Sequence, residues 1–238
     1  MGMEWVERKL RVTNDPRDAE RADVIAAMHK ARGKDVPLPR REQVGKADKF
    51  TAVEKRALSK DGAIILTPLD QTIPSQREAQ RQKEKPSFYF VANAEDGLLN
   101  VPSSLAEVAI YPDPDRFFIP GTGGKDLATQ ERMVSRDGET LRERLGLSGV
   151  DVRIPNEAST LTGITFDYLD QTGEWLFGPD YGYRYGRTKN PTTKSGSPAA
   201  IVGNASPGYG LDVLGFRPDG GSDDVRAVRL VVPNHGNK

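Results

Sequence analysis

The chain contains no cysteine, which excludes disulfides, thiolate metal sites and a cysteine nucleophile. Histidine is nearly as scarce. His29 and His235 are the only two, and neither is placed to serve a serine nucleophile such as Ser148 or to build a histidine-rich zinc centre. No apolar run approaches the length that spans a bilayer, and the opening "MGMEWVERKLRV" lacks the uninterrupted apolar stretch of a signal peptide. Its sixth position is Val6, where a myristoylation site requires Ser or Thr. The expectation is a cytoplasmic protein with no membrane partner. An excess of one charge is missing as well: 34 basic residues face 34 acidic ones. A protein whose task is to coat nucleic acid needs surplus Lys and Arg to neutralise phosphates, so nucleic acid is a disfavoured partner. The balance is uneven along the chain, with 19 basic and 14 acidic side chains in residues 1–90 and 15 and 20 in the remainder; such an offset usually marks solvated surface.

What is present describes a folded, polar protein. The 238 residues fit one large domain or two small ones, and 36% apolar content is enough for a core. Residues 1–60 read as a charged helical segment and linker. Asn14 or Asp15 can cap a helix that stops at Gly33, "DVPLPRREQVGKADK" follows as extended chain, and "TAVE" from Thr51 is a capping box for a second helix ending at Asp61-Gly62. Residues 61–238 read as an α+β domain. "AIILTPL", "SFYFVAN", "RFFIP" and "VDVRIP" are expected strands. Helices are expected from the capping pairs Ser75/Glu78 and Ser104/Glu107, and over "KDLATQERMVSRDGETLRERLG" as one helix or two joined near Asp137-Gly138. From about residue 157 the pattern changes. Leu161, Ile164, Tyr168 and Leu169 recur at helical spacing up to Gly173, and the pieces after it ("EWLFG", "YGYRYGR", "PAAIVGN", "YGLDVLGF", "VRAVRLVVP") are all strand-like, predicting an antiparallel β-rich module.

Several motifs of catalysis are approached and missed. "IPGTGGKDLATQ" has the glycines and lysine of a phosphate loop, but Ile119 stands where the first glycine belongs and Asp126 where Ser or Thr belongs; a Gly-rich turn followed by an Asp N-cap explains it better. "GLSGV" departs from a nucleophile elbow at Val150. "DPDRFFIPG" opens like a calcium loop and fails at Phe118, where glycine is required. No cofactor or metal is called for. The carboxylates Asp167, Asp170, Glu174 and Asp180 leave open a carboxylate-based hydrolase acting on a polar substrate, with Glu174 and Asp180 as the first candidates.

The string "WLFGPDYGYRYGRTKNPTTKSG" from Trp175 carries the strongest hint of recognition. Strand alternation would put Tyr181, Tyr183 and Tyr185 on one face, with Gly182, Arg184 and Gly186 on the other. Such a face is core before it is a contact surface, and different tyrosines can serve each; rigid aromatic area beside adaptable polar groups is what contact surfaces use, because little side-chain entropy is lost. The segment from Trp175 to Pro191, together with "VRAVRLVVP", resembles a group of short bacterial proteins without an assigned activity. The last quarter is also similar to the end of C-type-lectin-like display domains, in which a Trp-containing segment, a polar loop and a Gly/Asn/Asp/Ser-rich stretch precede a final strand. Here those pieces are "EWLFG", "RTKNPTTKSGSP", "GLDVLGFRPDGGSDD" and "VRAVRLVVP". The resemblance implies loop-borne recognition, but the Glu-Pro-Asn and Trp-Asn-Asp strings of calcium-dependent sugar binding are absent. The expected function is a non-catalytic module that binds an unknown protein or a polar small ligand through C-terminal loops, with Tyr181, Tyr183, Arg184, Arg187, Tyr209, Phe216, Arg217 and Asp224 as contacts.

Overall fold

The computed structural model describes residues 49–92, 96–104, 106–193 and 196–235. The helix expected over residues 14–33 and nearly all of the extended segment after it lie outside them. Helix α1 (Ala52–Lys60) forms where the capping box places it: the Thr51 hydroxyl accepts from the Glu54 amide and Glu54 reaches back to the Thr51 amide. Strand β1 (Ile64–Leu66) follows, then α2 (Ile73–Gln82), capped by Thr72 in place of the expected Ser75. Strand β2 is Phe88–Val91, α3 the short Asp96–Leu99, and β3 Val108–Ile110.

Two local expectations fail here. No helix starts at Ser104, because Glu107 is drawn inward to accept from the Phe50 amide (3.0 Å) and from Lys55 Nζ (2.6 Å). "RFFIP" is no full strand. Asp113 caps a single helical turn, α4 (Pro114–Phe117), and Phe118 makes only a β-bridge to Val228. Helix α5 (Leu127–Leu145) is unbroken through Asp137-Gly138, and β4 (Val150–Arg153) and α6 (Ala158–Thr172) then follow as expected, the latter ending at Gly173. The remaining strands are β5 (Tyr185–Pro191), β6 (Ala199–Ser206), β7 (Gly210–Phe216), β8 (Val225–Arg226) and β9 (Leu230–Pro233).

The fold is α+β, with two sheets. The first, ordered β1-β3-β9-β4, is antiparallel throughout; the second runs β2-β7-β6-β5-β8, antiparallel in its middle and parallel at both outer pairs. The expected C-terminal β module is therefore interleaved with the middle of the chain. β2 joins the second sheet beside β7, and β9 crosses to the centre of the first. Alternation along the last strand explains how both faces of the first sheet are filled. Val228 and Leu230 point into a core shared with α6 and with Ala200, Val202, Leu211 and Val213 of the second sheet. Ala227 and Val231 point the other way, against Val134 and Leu141 of α5 and Leu58 of α1.

Helix α6 is enclosed on nearly every side, contrary to the one-sided helix its spacing suggests. Its glutamate N-cap makes no side-chain cap bond, and Asn190 of β5 supplies one by accepting from the Ala158 amide at 3.2 Å. Its buried threonines are satisfied, while the buried Ser159 hydroxyl has no partner among the described residues. Thr165 and Thr162 donate to main-chain carbonyls within the helix, and Gln76 of α2 accepts from Thr162 and donates to the Ser159 carbonyl. A helix wrapped by sheet and helix has few free polar groups to spare, and threonines that bond to their own turn meet that demand.

Candidate functional site

The tyrosines do not alternate along one strand. Tyr181 closes a 3-10 turn over Pro179–Tyr181, Gly182 adopts left-handed backbone, and β5 begins only at Tyr185. The three rings consequently meet three environments. Tyr181 is 5% exposed, packs edge-on against Phe117 at 5.5 Å and donates its hydroxyl to the Pro112 carbonyl. Burial pushes its phenol far above the usual range, reinforced by the charges of Asp113, Glu174 and Asp180 and by Tyr168. Tyr185 is half-buried. Tyr183 is 79% exposed, and its backbone is itself left-handed, with φ +45°.

Left-handed backbone recurs around this turn. Phe177 (φ +61°) and Asn204 (φ +51°) share it, and hydrogen bonds tie the pieces together: the Ala205 amide donates to the Phe177 carbonyl, the Asn204 amide to the Arg184 carbonyl, and Asn204 Nδ2 to Asp212 at 2.9 Å. Non-glycine residues occupy this region only when their surroundings over-determine them. Here the surroundings are β6 on one side and the aromatic core below. Alternation gave no signal of this turn; a glycine followed by a tyrosine directly after "GPDY" was the only local clue.

The other expected contacts divide into two groups. Arg187 is fully buried, with 0% exposure. Its guanidinium donates to the carbonyls of Arg217 (3.2 Å), Gly220 (2.9 Å) and Lys125 (3.4 Å) and lies 5.0 Å from the Phe216 ring. Desolvation lowers its pKa, and Asp126 only partly compensates. Arg187 and Phe216 thus hold loops together. Around them the Gly-rich segment 120–125 packs on segment 218–224, with the Gly124 amide donating to Ser222 and the Leu127 amide to Pro218. Asp126 caps α5 by accepting from Thr129, the role expected of it in place of a phosphate loop. The side chains of Arg217 and Asp224 are exposed on this packed loop pair, while the Asp224 carbonyl accepts from the Tyr185 amide and so joins the loop to the Tyr183 turn. Arg184 is half-buried, 5.9 Å from the Phe118 ring. Tyr209 is exposed, but it belongs elsewhere: it turns between β6 and β7 and packs on Tyr89 of β2, at the opposite edge of the sheet.

Two of the four carboxylates are engaged, and Asp180 is exposed. Glu174 accepts from the Tyr168 hydroxyl at 3.1 Å, and Asp170 pairs with both Lys83 and Lys85. Asp167, one turn before Asp170, is pushed up to about 6, first by burial and then by the charge of Asp170, with Lys83 opposing. Among the described residues no cluster of three or more His, Asp or Glu side chains could hold a metal ion, and no helix is long and apolar enough to cross a membrane. Comparison with protein-family models, with curated proteins and with solved structures gives no match.

Proposed function

We propose that the protein is a non-catalytic binding module that engages a polar ligand or a protein partner through the turn around Tyr183 and the adjoining loop 217–224. One observation carries this reading: a tyrosine ring is presented to solvent on left-handed backbone that β6, Asp224 and the buried Tyr181 hold in place. Such a conformation costs about 1–3 kcal/mol, and a large rigid ring loses little entropy when it is covered. Arg217 and Asp224, exposed on loop 217–224, add one charge of each sign, and the Asp224 carbonyl ties that loop to the Tyr185 amide. Binding is favoured over the carboxylate-hydrolase alternative because Glu174 is engaged by a tyrosine and Asp170 by two lysines. That alternative draws its support from Asp167, whose raised pKa suits a general acid.

The test is a defined array of polar oligosaccharides and peptides probed with the wild type and with the Tyr183→Ala/Arg217→Ala double variant. The wild type is expected to retain a discrete subset, and the double variant to lose at least tenfold in apparent affinity for it while keeping the wild-type melting temperature. Equal retention by the two proteins removes the proposal.

A further inference from the structure

A second site stands apart from the Tyr183 turn and does not depend on its role. A cleft of about 370 Å³ opens between the end of α1, α4, α5 and the residue before β9, and is lined by Asp61, Arg116, Asp137, Thr140, Leu141, Arg144 and Arg229. Three guanidiniums therefore face two carboxylates, leaving one positive charge uncompensated among the lining groups. The acceptors are already occupied. Both Asp61 oxygens receive Arg144, and Oδ2 also receives Arg116 (2.8 Å) and the Tyr111 hydroxyl (2.7 Å). Asp137 is gripped by Nε and Nη2 of Arg229, along one edge of the guanidinium, at 2.7 and 2.8 Å.

These contacts fix the guanidiniums without exhausting them. Each has five N–H donors, and the Asp61 and Asp137 carboxylates and two main-chain carbonyls take only part of that number. Arg116 lies 4.1 Å over the Tyr111 ring, and Arg229 lies 5.9 Å from the same ring, so one aromatic platform positions both. Arg116 and Arg144 remain partly exposed toward the cleft. The pair partners keep Asp61 down at about 2, its charge present at any working pH. Planar forks held rigidly with donors to spare are the arrangement that recognises phosphate oxygens. The volume lies near the lower end of small-molecule pockets, which run from about 300 to 1,000 Å³. It suits a compact ligand rather than a macromolecular surface.

We infer that this cleft binds a small dianionic oxyanion, a phosphate group free or on a short ester, between Arg116, Arg144 and Arg229. Calorimetric titration of the full chain with inorganic phosphate and, separately, glycerol 3-phosphate tests it, with sodium chloride at matched ionic strength as reference. The expected result is saturable one-to-one binding of at least one of them. Tighter binding of the ester assigns an esterified ligand, and equal or tighter binding of inorganic phosphate assigns the free ion. Thr140 is exposed on α5 at the cleft and takes part in none of the arginine pairs, so Thr140→Glu adds a carboxylate there without removing a partner; it is expected to weaken binding at least tenfold, as is Arg144→Gln. Arg81→Gln, on the exposed face of α2, should bind as wild type. Affinity for the ester should fall as pH drops through its second ionisation at ~6. Absence of saturable binding by the wild type, wild-type affinity in Thr140→Glu, or affinity flat across that pH range overturns the inference.

Discussion

Arg187 shows how far the role of a residue can lie from its appearance in sequence. In "YRYGRTKNP" it reads as a surface cation beside tyrosines, yet its guanidinium is sealed beneath two loops, with Nη1 and Nη2 held by carbonyls instead of a carboxylate and Nε left without a partner among the described residues. A desolvated charge is expensive, so removing it recovers some energy; removing it also strands three carbonyls and leaves a cavity. The second effect is larger where acceptors are left unmet. Arg187→Ala is expected to lower stability by about 2 kcal/mol, read as a shift in the urea midpoint, and a midpoint within about 0.5 kcal/mol of wild type would contradict the clamp. The sequence contained no mark of this, because the partners are main-chain atoms of segments distant along the chain. Asp126 is the opposite case. Its capping role was legible, since an N-cap acts on amides two or three positions away.

At the scale of elements the same division holds. The helix over 52–60, the long helix to Leu145, the helix over 158–172 and most strands were readable from caps and periodicity, which are local signals. Failures fell where a distant contact overruled the local one, as when Glu107 abandoned a cap for Phe50 and Lys55. Strand β5 illustrates a glycine whose reason is packing. A Cβ on Gly186 would sit 2.8 Å from Val228 Cγ1, 2.9 Å from Leu161 Cδ2 and 3.0 Å from Phe177 Cζ. In an open strand, Gly→Ala stabilises by restricting the unfolded chain. Here overpacking wins, and Gly186→Ala should lose about 1–3 kcal/mol by chemical denaturation. A neutral or stabilising result would mean that β5 and α6 have room to separate.

For the whole molecule, the α+β class was legible, whereas the partition was not: nothing local in "LVVP" announces a strand at the centre of the first sheet, or in "FYFV" a strand parallel to β7 in the second. The guanidinium cleft was equally hidden, because Asp61, Arg116, Arg144 and Arg229 come from four separate segments. The shared core around α6 and the crossing of β2 and β9 between the two sheets predict a single cooperative unfolding transition for the described residues. Trp175 is buried in that core. In a Trp5→Phe background, its fluorescence and far-ultraviolet circular dichroism are expected to report the same denaturation midpoint; separated midpoints would reveal two units.

The placement of β9 also governs when this fold can close. β3 and β4 leave a gap that only residues 230–233 fill, and those residues emerge from the ribosome long after their neighbours. Until then a nascent chain carries two unpaired, apolar strand edges, the kind of surface that chaperones shield and that self-associates when left bare. Translation stalled ahead of Leu230 should therefore yield a product prone to aggregate even with α1, α5 and α6 complete.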